Sequence, residues 1–156
     1  MKLVIISAHD PNLVIGYKGK LPWQLPEDLR HFKKRTNGYT LLMGRGVFQE
    51  LNEKPLPGRT NIVITSRSYD QVTTYDDLQE ALDNVKSNEK VYIIGGAQIY
   101  RQTIHLADRL EITKVHDTYP GDRYFPEYRH QIDSVWKEVY REPHEKITFV
   151  DYERIS

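Results

Sequence analysis

A chain of 156 residues is long enough for one hydrophobic core and short for two, so a single domain over 1–156 is expected. Apolar residues make up 38% and charged residues 28%, a globular composition that excludes a disordered or membrane-embedded chain. The 22 basic side chains balance 22 acidic ones and cysteine is absent, which argues against nucleic-acid and membrane partners and excludes disulfides and thiolate metal sites.

Residues 3–6, Leu-Val-Ile-Ile, form a continuous apolar run that predicts a central strand buried on both faces. The apolar stretch is too short for a signal segment and runs into His9 and Asp10, so a cytoplasmic protein is expected. Between 10 and 22 stand Pro11, Asn12, Gly16, Gly19 and Pro22, a long loop of turn residues suited to a mobile lid. A helix then starts at Pro26, with Glu27 and Asp28 in its first turn and Lys33, Lys34 and Arg35 in its last.

Strand-like runs follow over 39–43, 60–65, 91–94 and 110–115. Leu78, Ala81, Leu82 and Val85 have helical spacing, with Asp76 as the expected N-cap, and a further helix should begin at Ala97. The alternation predicts an α/β fold with a mostly parallel central sheet and helices on both faces. Residues 135–141 and 147–154, joined by a loop around Pro143, should add an antiparallel C-terminal edge.

Asp28 is the most informative position. Leu25, Leu29 and Phe32 make an apolar stripe on the helix, and Asp28 falls on its edge, so the carboxylate is aimed inward. An acid in a first turn also simply complements the helix dipole. A buried carboxylate nonetheless needs a partner, and no Lys or Arg shares that face. Gly95-Gly96 after a strand, Gly44-Arg45-Gly46 and Ser66-Arg67 each suit an anion or a plain turn, and all lie at strand ends where α/β sheets bind ligands. The 6 histidines lack metal-ligand spacing and are expected at the surface, so no metal site is expected; no G-x-S-x-G elbow occurs.

Taken in order, Val14-Ile15-Gly16, Leu21-Pro22-Trp23-Gln24-Leu25-Pro26-Glu27-Asp28, Met43-Gly44-Arg45, Pro55-Leu56-Pro57-Gly58-Arg59, Ile94-Gly95-Gly96-Ala97-Gln98-Ile99-Tyr100 and Gly121-Asp122-Arg123-Tyr124-Phe125-Pro126 resemble the bacterial dihydrofolate reductases. The resemblance runs from the first strand nearly to the C-terminus. It implies hydride transfer from NADPH to 7,8-dihydrofolate, a small-molecule substrate, with sensitivity to antifolate inhibitors, a role in one-carbon metabolism and a monomeric state.

By the same resemblance Asp28 would anchor the pterin, accepting from its N3-H and 2-amino group together, with Thr113 bridging Asp28 and the 2-amino group through a water. Ile6, Phe32, Leu51 and Ile94 would line the ring slot, and Arg59 would fork the glutamyl α-carboxylate. Leu21 would close over the nicotinamide and Trp23 would hold a water near Asp28, the source of the proton for N5. The nicotinamide half of NADPH would lie along Ala8, Ile15, Gly16, Gly19 and Leu21. Gly95, Gly96, Ala97 and Gln98 would meet the pyrophosphate, with Ile94, Ile99 and Tyr100 in the same segment; Arg45, Ser66 and Arg67 would receive the 2′-phosphate, and Thr65 would also contact the cofactor. Gly46 and Val47 stand at two cofactor positions where the family commonly has a basic residue and a threonine. His31 stands where the family commonly has an aromatic or other bulky residue beside the substrate tail. Two rivals remain: a related NADPH reductase of riboflavin synthesis, and a catalytically silent nucleotide-binding or antifolate-sequestering module.

Overall fold

The computed structural model describes residues 1–155. Its elements in chain order are β1 (Lys2–His9), β2 (Val14–Gly16), α1 (Pro26–Thr36), β3 (Thr40–Gly44), α2 (Arg45–Glu50), β4 (Thr60–Ile64), β5 (Thr73–Tyr75), α3 (Leu78–Asp83), β6 (Lys90–Ile93), α4 (Ala97–Thr103), β7 (Arg109–Val115), β8 (Arg123–Tyr124), β9 (Trp136–Pro143) and β10 (Ile147–Arg154). Eight strands form one sheet in the order β5-β4-β3-β6-β1-β7-β10-β9. Every pair from β5 to β7 is parallel, and β10 runs antiparallel to both β7 and β9.

The continuous apolar runs do what their patterning requires. Along β1, Leu3 and Ile5 join one buried cluster while Val4 and Ile6 join another, so the strand is covered on both faces. β3 and β6 divide in the same way, with Leu42, Val91 and Ile93 on one side and Leu41, Met43 and Tyr92 on the other. This two-sided core fixes the carboxyl ends of β1, β3 and β6 beside one another.

Several boundaries differ from the expectations. The loop over 10–22 contains β2, which pairs with the two-residue β8 in a separate ribbon. Asp77, not Asp76, caps α3: its Oδ2 accepts from Glu80 N at 3.1 Å, and the helix ends before Val85. The C-terminal hairpin turns after Pro143, which is still paired opposite Thr148. Leu29 is 53% exposed, so the stripe predicted on α1 is not a core stripe; only Thr36 of that helix is fully buried. His9 is buried rather than superficial, its imidazole held by Asp10 O and the Tyr128 hydroxyl, each at 2.8 Å.

Candidate active site

The ends of β1, β3 and β6 open into a cleft of about 1490 Å³, walled by α1 on one side and by α2 and α4 on the other. A site for one drug-sized ligand spans about 300–1,000 Å³, so this cleft has room for two extended molecules. Glycines set its floor. Gly44 N donates to Gly95 O at 2.8 Å, and a Cβ on Gly44 would stand 3.2 Å from Ile99 Cγ1. Gly95 has φ +116 and lies over the Tyr100 ring, whose hydroxyl donates to Ile6 O at 2.9 Å. Helices α2 and α4 both begin at the cleft without a side-chain cap, which leaves their first N–H groups free for a ligand.

Asp28 enters from the first turn of α1 and Thr113 from β7. Thr113 Oγ1 donates to Asp28 Oδ1 at 2.7 Å, and no cation pairs with this carboxylate among the described residues. Burial pushes the Asp28 carboxyl above the ordinary carboxylate range, and the Thr113 hydrogen bond restrains the rise. Trp23 packs edge-on against Tyr119 with ring centroids 5.4 Å apart, and its Nε1 is buried without a partner. Ile6, Ala8, Phe32, Leu51 and Ile94 complete this half of the cleft.

The loop after Asp10 is pinned over the opposite half. Asp122 N donates to Gly16 O at 2.9 Å, Lys18 N donates to Asp122 Oδ2 at 3.1 Å, and Phe125 N donates to Leu13 O at 2.8 Å. Ile15, Gly16 and Leu21 thereby line the cleft, together with Gly46, Val47, Gly96, Ala97, Gln98, Ile99 and Tyr100.

Seven predicted site residues lie outside the lining. Gly19 occupies the exposed turn that links Tyr17 and Lys20. Gly95 is covered by the Tyr100 ring. Arg45 carries a buried, unpartnered Nε at the start of α2. Thr65, Ser66 and Arg67 follow β4, where Arg67 N donates to Thr65 Oγ1 at 3.1 Å. Arg59 stands beyond the Phe32 and Leu56 end, donating to Thr36 Oγ1 at 3.0 Å, Pro57 O at 2.6 Å and Lys33 O at 3.2 Å, with no carboxylate partner among the described residues. Thr113, expected beside Asp28, meets it directly.

Other lining residues went unrecognised in the sequence. Arg101, Gln102 and His105 share a face along and just beyond α4 with the expected Gln98, and this i, i+3, i+4, i+7 spacing is the signal that would have shown them. Glu50 also borders the cleft, its carboxyl raised by desolvation.

The model of the family described as dihydrofolate reductase matches residues 2–154. The dihydrofolate reductase of Buchnera aphidicola subsp. Acyrthosiphon pisum is 40% identical over 148 residues, covering 94% of this chain and 91% of that protein. That of Bacillus subtilis is 43% identical over 137 residues, covering 86% and 79%. The solved structure of dihydrofolate reductase from Enterococcus faecalis, complexed with NADP(H) and RAB-propyl, superposes with a TM-score of 0.90 at 35% identity, covering 99% of this chain and 97% of that one. On the sequence motifs, the sheet order and these similarities, the chain belongs to the dihydrofolate reductase family.

Proposed function

We propose that this protein reduces 7,8-dihydrofolate to 5,6,7,8-tetrahydrofolate with NADPH, as a monomeric cytoplasmic enzyme that supports one-carbon metabolism and thymidylate synthesis and is open to antifolate inhibitors. The reading rests first on Asp28: a half-buried carboxylate, tied to Thr113 at 2.7 Å and lacking a cation, in a cleft built for two ligands. The pterin edge offers N3-H and a 2-amino group side by side, the pair of donors such a carboxylate accepts. Ile6, Phe32, Leu51 and Ile94 give the ring apolar walls. Arg59, already oriented by Thr36 and two carbonyls, has guanidinium N–H capacity for the glutamyl α-carboxylate.

The cofactor half also fits. The uncapped starts of α2 and α4 suit a pyrophosphate, and Ala97 and Gln98 lie in the second of them. Arg45, with its free Nε, and the exposed Ser66 and Arg67 suit a 2′-phosphate and so favour NADPH over NADH. When bound, NADPH supplies the hydride for C6. Asp28 holds the pterin in register and keeps negative charge near N5, while Trp23 Nε1 orients the water that delivers the N5 proton. Leu21 and the pinned loop limit further access of solvent.

Mixing the protein with NADPH and dihydrofolate and following reduced-nicotinamide absorbance tests the reading. Turnover with dihydrofolate, and much less with the ribosylaminopyrimidine of riboflavin synthesis, supports it. Binding of both ligands without turnover would instead identify a silent or antifolate-sequestering module.

A further inference from the structure

Helix α1 carries Asp28 into the cleft, yet little apolar packing holds the helix down, since Thr36 is its only fully buried residue. Its attachment is polar and aromatic, and it repeats along one face. Asp28, His31 and Arg35 are spaced i, i+3 and i+7, so they share a side of the helix. On the sheet below, Thr113 and Glu111 share a face of β7, and the register sets Phe149 opposite Thr113 and Asp151 opposite Glu111 on β10.

The two surfaces meet at three successive turns. Asp28 meets Thr113 at 2.7 Å, and His31 stacks on Phe149 with centroids 3.8 Å apart and planes 12° apart. Arg35 reaches Glu111 Oε1 at 2.7 Å and spans both oxygens of Asp151 at 3.1 and 3.2 Å.

Glu111 and Asp151 are only 3% and 2% exposed and stand side by side, an arrangement that like charges do not tolerate without cations between them. Arg109 supplies a second cation, at 3.0 Å from Glu111 and 2.8 Å from Asp151, and the Tyr92 hydroxyl donates to Glu111 at 3.2 Å. Arg109 belongs to the sheet itself, so its ion pairs do not hold the helix. Arg35 is the cation that crosses from helix to sheet, and neither it nor either acid lines the cleft.

We infer that Arg35 is a positioning residue for the pterin half of the site. By fixing the far end of α1 on β7 and β10, it sets the distance and angle at which Asp28 and His31 face a ligand. The bidentate fork onto Asp151 gives that contact a direction as well as a charge, which an ammonium would lack. The cofactor half, built on α2, α4 and the turn at Gly96, stands on other elements and is not governed by this tie. The inference rests on the dihydrofolate reading of the cleft and specifies what that reading requires of a residue outside it.

Arg35→Met and the double variant Arg35→Met/Glu111→Gln, alongside wild type, test it through dihydrofolate and NADPH dissociation constants and melting temperature. Arg35→Met should weaken dihydrofolate by about fivefold or more and leave NADPH within about twofold. It should also lower the melting temperature, because two buried acids then share one arginine. The double variant removes one of those acids and should recover most of the stability while dihydrofolate stays weak; it also carries the test if the single variant does not fold. Recovery of wild-type dihydrofolate affinity in the double variant would show that Arg35 only neutralises buried charge and would overturn the inference. Equal weakening of both ligands would do the same. Wild type that binds NADPH but not dihydrofolate would overturn the parent reading, and this one with it.

Discussion

Thr113 Oγ1 donates to Asp28 Oδ1 at 2.7 Å across a separation of 85 residues, joining the first turn of α1 to the middle of β7. The bond leaves the second carboxylate oxygen and the remaining lone pairs of Oδ1 available to a ligand. Burial has raised this carboxyl, so its ionised form costs stability in the ligand-free protein.

Asp28→Asn should therefore separate function from folding. Loss of the charge should lower kcat/KM for dihydrofolate at neutral pH by more than about tenfold, a change of roughly 1.4 kcal/mol or more. Because the folded pKa lies above the ordinary value, wild-type stability falls as pH rises through the folded pKa, and the Asn variant escapes that loss. Its melting temperature should equal or exceed wild type at pH 7, with the advantage gone below about pH 4. Activity within tenfold of wild type would reduce Asp28 to a helix-dipole residue.

His9 should show the opposite pH dependence. Desolvation lowers its pKa to about 4, and the imidazole sits neutral with Nδ1 donating to Asp10 O and Nε2 accepting from Tyr128. A depressed histidine costs stability as pH falls from about 6.5 towards 4, by up to roughly 3 kcal/mol. His9→Asn should be less stable than wild type at pH 7.5 and lose less stability on acidification, so urea-unfolding curves should converge near pH 4.5. Parallel pH profiles for the two proteins would contradict a neutral buried His9.

Gly121 should tolerate no side chain while Val14 is in place. A Cβ there would lie 2.2 Å from Val14 Cγ1 and 2.6 Å from Val14 Cγ2. Gly121→Ala must push β2 away from β8, and with it the loop that carries Ile15, Gly16 and Leu21, at a cost of about 1–3 kcal/mol. Val14→Ala should restore part of the stability and part of kcat in the double variant. A double-mutant cycle with no favourable coupling would show that the loop yields elsewhere.

The departures at Gly46 and Val47 allow a gain of affinity. Gly46 lies inside α2 without a positive φ, and a Cβ there would meet nothing within 4 Å, so a lysine fits the backbone. The Val47 side chain faces the cofactor turn, its Cγ2 3.8 Å from where a Cβ on Gly96 would stand. Val47→Thr should tighten NADPH by about fivefold, the worth of one neutral hydrogen bond, and Gly46→Lys should add a charge-assisted one, while pterin affinity stays unchanged. An unchanged NADPH dissociation constant in Val47→Thr would place that side chain away from the cofactor.

The sequence was legible where structure depends on near neighbours or on strong patterning. Residues 3–6 announced a central strand through local apolar patterning alone; Asp28 does enter the cleft, but Leu29 is exposed, so the apolar stripe that pointed it inward is not what places it there. The β2–β8 ribbon was not legible, because strands of three and two residues carry no periodicity and exist only through each other. Asp76 and Asp77 are equivalent in sequence, and only the backbone at the helix start selects the second as the cap. His9 reads as a polar residue until Tyr128 supplies its distant partner. The buried acids Glu111 and Asp151 with their partly buried arginines, Arg35 and Arg109, look like ordinary surface charge in one dimension. Arg59 shows the reverse case: its motif stood out at once, but its place outside the cleft lining depends on where Thr36 and the carbonyls of Lys33 and Pro57 hold it.

Hydride transfer between two ligands bound side by side leaves an isotopic record. NADPH deuterated at the transferable position of nicotinamide C4 would be incubated with dihydrofolate and the protein, and the product examined by mass spectrometry and proton NMR. Direct hydride transfer should give one deuterium at C6 of tetrahydrofolate per NADPH oxidised, a solvent-derived proton at N5, and loss of more than about 90% of the rate in Asp28→Asn. NADPH oxidation without deuterium at C6, or the same transfer at an undiminished rate in Asp28→Asn, would contradict it.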